Sequence, residues 1–137
     1  MTELRHLTGP ASEILSDAVV DGDYAFLAGK CCTDVPGGEA AIGDITAETR
    51  MTMDALKETL ARVGLGFEDV VTARVFLTHP DEFDAMNAVY TTYFAPGKCP
   101  ARTCVGVTWM VEDCRVEIDC VARMCKPAPG APAEQRR

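Results

Sequence analysis

CPARTCVGVTWMVEDCRVEID, residues Cys99 to Asp119, alternates apolar and polar positions through two strand-length runs on either side of Glu112-Asp113. It reads as two β-strands joined by a tight turn. In the first run Thr103, Val105, Val107 and Trp109 alternate with Arg102, Cys104, Gly106 and Thr108. In the second, Val116, Ile118 and Cys120 alternate with Arg115, Glu117 and Asp119. A period of two sends successive side chains to opposite faces of a sheet, so each strand has an apolar side and a side equipped for chemistry. On this reading Arg102, Cys104 and Glu117 share the polar face. A two-residue turn pairs Val111 with Cys114 and sets Glu117 opposite Thr108, six residues along the ladder from Arg102. That gap is on the order of 20 Å at the usual strand rise, so a pocket using both side chains would need two subunits.

Upstream lies the clearest helix, ITAETRMTMDALKETLARVG over residues 45–64, with Ala47, Met51, Ala55, Leu60 and Val63 as its apolar stripe and Gly64 and Gly66 as its stop. VVTARVFL, Val70 to Leu77, is rich in β-branched residues and reads as a strand. A second helix, PDEFDAMNAVYTTYF, starts at Pro80 and stops before Pro96-Gly97. Ile14–Val20 and Tyr24–Gly29 read as a hairpin around Asp21-Gly22. Residues 1–12 are an irregular lead-in, and residues 31–43 (CCTDVPGGEAAIG) a loop. Residues 1–125 then form a single domain, and the Pro/Ala-rich residues 126–137 a disordered tail. The order β-β-α-β-α-β-β predicts a two-layer α+β domain, a mixed sheet with two helices on one face. The other face is left for helices or a second subunit to cover.

Composition narrows the function. At 137 residues, 47% hydrophobic and 25% charged, the chain has the make-up of one globular domain. Its net charge of −8 argues against a nucleic-acid partner, because phosphate binding is driven by Lys and Arg. No apolar run is long enough to span a bilayer and MTELRHLTGPASE lacks a signal-peptide core, so a cytoplasmic location is expected. The seven cysteines include no CxxC, and His6 and His79 are not spaced as partners, so spacing predicts no metal site. GxSxG, GxxxxGKS and GxGxxG are absent. Three residues remain as candidates. Arg102 offers a planar fork for a carboxylate, Glu117 a general acid/base in mid-strand, and Asn87 a polar group on the second helix. Each also reads as ordinary surface.

The runs GDITAETRMTMDALKETLARVG, DVVTARVFL, FDAMNAVYTTYF, PARTCVGV and VEIDCVA, in that order between Ala25 and Arg123, resemble the RidA/YjgF family of reactive-intermediate deaminases. The resemblance implies a chorismate-mutase-like trimeric barrel, a homotrimer with a cleft between each pair of subunits. It implies that Arg102 grips the carboxylate of a small 2-imino or 2-enamino acid, and that Glu117 serves the attacking water and departing ammonia. Cys104 and Asn87 would line the same cleft, and neither a metal nor an organic cofactor is implied. Three departures point to a different substrate. LSDA (Leu15–Ala18) stands where many members carry a tyrosine, and Gly106 where a glutamate is common. Ala28-Gly29-Lys30 replaces a common Ser-Gly-Gln segment, which puts Gly29 and Lys30 on the cleft with Lys30 as a second anchor for a larger or dicarboxylic enamine. A trimeric carboxylate-binding protein without turnover fits the same residues. The endoribonuclease activity attributed to some relatives fits the acidic charge badly.

Overall fold

Val116–Arg123 alternates buried and half-buried positions without a break, and it runs through the middle of a six-stranded mixed sheet. The computed structural model describes residues 3–124. In chain order the elements are β1 (Arg5–Leu7), β2 (Ala18–Asp21), β3 (Tyr24–Lys30), α1 (Ile45–Arg62), β4 (Val70–Leu77), α2 (Phe83–Tyr90), β5 (Ala101–Gly106) and β6 (Val116–Arg123), with short 3-10 turns between. The sheet order is β1-β2-β3-β6-β4-β5. β4 and β5 run parallel, and the other neighbours are antiparallel.

One face of this sheet carries the core. Ala18, Leu27, Ala73, Val75, Val116, Ile118 and Cys120 pack against Met53, Leu56 and Leu60 of α1 and Met86 and Tyr90 of α2. Asp44 caps α1 by accepting from the Ala47 amide, and Gly64 at φ 79° ends it in the left-handed region that glycine tolerates. The buried residues of α1 are Ile45, Glu48, Thr49, Thr52, Met53, Ala55, Leu56, Thr59 and Leu60, so Ala55 and Leu60 of the expected stripe are buried while Ala47, Met51 and Val63 are only partly so. Three threonines can be buried there because each hydroxyl donates to the carbonyl four residues back, as Thr49 does to Ile45 at 2.7 Å.

The structure corrects the terminal hairpin. β5 and β6 do not pair, because β4 lies between them. β5 stops at Gly106, and residues 107–115 carry the chain across the end of β4, with Glu112 and Asp113 at φ 53° and 62° forming a local turn. Alternation identifies a strand but says nothing about its neighbour. Glu117 therefore sits opposite Phe76 of β4, not Thr108. The lead-in also contains a strand, β1, and β2 starts at Ala18 instead of Ile14. The expected tail lies outside the described residues. No helix among the described residues is long and apolar enough to cross a membrane.

Among the described residues no helix lies over the second face. Tyr24, Phe26 and Val105 point there and are each more than 40% exposed. That is a large apolar area for a surface that stays in water.

Candidate functional site

Arg102 pairs with Ala73 across the β4–β5 ladder, and Ala73 pairs with the buried Cys120. Arg102 and Cys104 therefore belong to the helix side of the sheet, whereas Glu117, one residue out of step with Val116 and Ile118, belongs to the open side. The shared face expected for Arg102, Cys104 and Glu117 is overturned. β5 is an edge strand whose polar positions pack toward α2, so its chemically equipped side faces the opposite way to that of β6. Two strand spacings and three residues of rise separate the two Cα positions by roughly 14 Å.

At the β5–α2 edge, an Arg102 Nη donates to the Asn87 side-chain oxygen at 2.7 Å. The guanidinium carbon stands 4.8 Å from the centre of the Tyr90 ring and 5.7 Å from that of Phe83, within cation–π range. Asn87 is one turn of α2 from both rings, so helix periodicity puts all three beneath one side chain. Among the described residues no carboxylate pairs with Arg102, whereas Arg62, Arg74 and Arg115 each have one. Its fork is held by an amide and two rings and remains open to an anion. Burial pushes the Tyr90 phenol up to about 12 against the opposing pull of Arg102, so it stays neutral under the cation. Cys104 is half-buried on the same side, and burial raises its thiol while the Arg102 charge pulls it down.

On the open side, the Glu117 carboxylate lies over Gly29. A Cβ on that glycine would come within 2.6 Å of Glu117 Oε2, so the close approach requires its absence. The Cys31 thiol donates to Glu117 Oε1 at 3.5 Å. Gly29 is thus beside Glu117, but Lys30 is not. Its ammonium pairs with Asp17 at 3.1 Å, and Asp17 also accepts from Arg62 at 2.8 Å. Burial favours the neutral form of Asp17, but the hydrogen bonds and charges of Arg62 and Lys30 outweigh it and hold the carboxyl below its ordinary value. Lys30 is not brought together with Arg102 or Glu117.

Sequence reading missed Glu48, Cys32 and Cys114. Glu48 is fully buried and accepts from the Gly43 and Arg115 amides, both at 2.8 Å. A helical stripe drawn through Thr49 and Thr52, not through apolar residues alone, would have placed Glu48 inside.

The fold and these groups define a class: a two-layer α+β protein with a carboxylate-ready arginine on one side of its sheet and a caged glutamate on the other. Residues 8–124 match the family described as Endoribonuclease L-PSP. The chain is 36% identical over 107 residues to a RutC family protein of Pyrococcus horikoshii, covering 78% of this chain and 84% of that one. It is 38% identical over 114 residues to the protein DfrA of Myxococcus xanthus, covering 83% and 85%. Among solved structures, one from Thermotoga maritima shares 35% identity with a TM-score of 0.73, covering 79% and 84% of the two chains. A YjgF family member from Neisseria meningitidis shares 25% with a TM-score of 0.77, covering 91% and 98%. This chain belongs to the YjgF/RidA family, the L-PSP family of the matching profile.

Proposed function

We propose that the protein hydrolyses small reactive 2-imino and 2-enamino acids to 2-keto acids and ammonium, in clefts between the subunits of a homotrimer. The observation that carries this reading is the Arg102 guanidinium, oriented by Asn87 and Tyr90 and free of any carboxylate partner among the described residues. A planar fork in that state accepts a substrate carboxylate in two parallel hydrogen bonds. The opposite faces taken by Arg102 and Glu117 support a cleft built by two chains, and the exposed Phe26 and Val105 support burial of the open face in the assembly.

The reaction asks little of the protein. An iminium carbon is already electrophilic, so anchoring the acid end beside an ordered water supplies much of the catalysis. Glu117 takes a proton as water attacks and returns it to the nitrogen as the carbon–nitrogen bond breaks. The balance is iminium acid plus water to 2-keto acid plus ammonium, with no redox step.

A second reading, carboxylate binding without turnover, draws on the segment that departs from the usual family pattern, since Lys30 is engaged by Asp17. RNA cleavage, which the family's description names, is opposed by the net charge of −8. Ammonia release from freshly generated imino acids distinguishes turnover from binding. Wild type is expected to accelerate release and Arg102→Ala to lose that acceleration, and equal rates would defeat the deaminase reading.

A further inference from the structure

Cys32, Glu48 and Cys114 come from the turn after β3, the first turn of α1 and the link before β6. Their sulfur and oxygen atoms all lie within 4.8 Å of one another, and all three residues are buried. We propose that they form a binding site for one zinc-like divalent cation. This rests on the cluster alone and not on the deaminase reading. It also replaces the expectation of no metal, because spacing rules detect ligands close in sequence and these are 16 and 82 residues apart.

The geometry is that of a tetrahedron's edges. Zinc bonds of about 2.3 Å to sulfur and 2.0–2.2 Å to oxygen set a sulfur–sulfur edge of about 3.8 Å and a sulfur–oxygen edge of about 3.5 Å. The Cys32 and Cys114 sulfurs are 3.8 Å apart, and Cys32 Sγ is 3.7 Å from Glu48 Oε1. Thr33 Oγ1 lies 3.7 Å from Cys114 Sγ, and a water would complete the fourth position.

The surroundings of Glu48 point the same way. Glu48 is 0% exposed, yet no cationic side chain pairs with it among the described residues. Its partners are two backbone amides and the Cys32 thiol. A bound dication would give that carboxylate a direct partner in its buried surroundings, while the displacement of two thiol protons keeps the net charge of the cluster at −1. Two soft thiols with one carboxylate suit zinc better than magnesium or calcium. Binding exchanges two thiol protons for the cation, which is four-coordinate with two thiolates and one carboxylate. A cavity of about 380 Å³ lined by Gly43, Cys114 and Arg115 borders the cluster on its Cys114 side.

The site would brace the Glu117 side of the sheet. Cys31, next to Cys32, donates to Glu117, and the Arg115 amide that donates to Glu48 lies two residues before Glu117.

Cobalt(II) titration of the full chain, stripped of metal and kept reduced, tests this. The expected result is one cobalt per chain with thiolate-to-cobalt charge-transfer absorption, displaced by zinc. Cys32→Ser and Cys114→Ser should abolish that absorption. Glu48→Gln, which keeps the shape of the side chain, should weaken affinity by about tenfold or more. Cys99→Ser, an exposed cysteine away from the cluster, should leave it unchanged. Should a serine variant fail to fold, the wild type still decides: zinc must protect two thiols from alkylation, and mass mapping must find them at 32 and 114. No cobalt bound, cobalt bound without charge transfer, protection of other cysteines, or unchanged affinity in Glu48→Gln overturns the proposal.

Discussion

Arg102 and Glu117 project from opposite faces of one sheet, separated by β4. Neither side chain can turn through the sheet, so whatever each one holds is held at a different surface of the protomer. A substrate that meets both must lie where the open face of one chain approaches the β5–α2 edge of another.

Asn87 orients the guanidinium through a charge-assisted hydrogen bond of 2.7 Å. Removing it leaves the fork on the rings alone. Asn87→Ala is expected to lower kcat/KM for an imino acid by about tenfold or more, the value of one hydrogen bond to a charged group. Steady-state ammonia release measures this, with thermal melting as the control for folding.

Gly29→Ala places a methyl group within 2.6 Å of Glu117 Oε2. The carboxylate is the flexible end of a side chain and can move aside, so the fold should survive. Activity should not, because an error of about 1 Å in a catalytic group costs roughly 100-fold in rate. The expected variant melts near wild type and has kcat reduced by about that factor.

The Lys30–Asp17–Arg62 cluster predicts a pH dependence of stability. The Asp17 pKa is lowered in the folded protein from its ordinary 3.8, because two cations outweigh the opposing effect of burial. A carboxyl with a depressed folded pKa contributes stability that is complete above its unfolded value and is lost as pH falls through the folded one. Asp17→Asn should cost about 2 kcal/mol at pH 7. The difference from wild type should shrink as the pH drops below about 4. Urea unfolding at both pH values measures it.

Phe26 is 47% exposed on the open face, near the apolar Val19 and Val121 of the neighbouring strands. A charge there opposes burial against another copy. Phe26→Asp is expected to elute as a smaller species than wild type in size-exclusion chromatography and to lose activity with the assembly.

Much of the fold was legible. β4 matches its expected bounds and α1 starts at the expected Ile45, whereas Pro80 opens a 3-10 turn and α2 itself begins at Phe83. These are local signals of period, cap and ring constraint. Strand order was not legible, because pairing is decided by packing between distant segments and β6 could pair with whichever strand it reached. That one error inverted the face assigned to Arg102. Arg102 and Asn87 could be nominated from residue type, and they meet at the β5–α2 edge. Glu48 and Cys114 could not, since nothing near them in sequence marks them as neighbours.

The direct test of a cleft shared by two chains is complementation between Arg102→Ala and Glu117→Ala. Each variant alone is expected to be inactive. Mixed assemblies contain clefts in which an intact Arg102 from one chain faces an intact Glu117 from the next. Random mixing of equal amounts in a closed ring restores about one quarter of the clefts. The account predicts recovery of about that fraction of the wild-type rate of ammonia release. A mixture no more active than either parent, beside an active wild type, would contradict it.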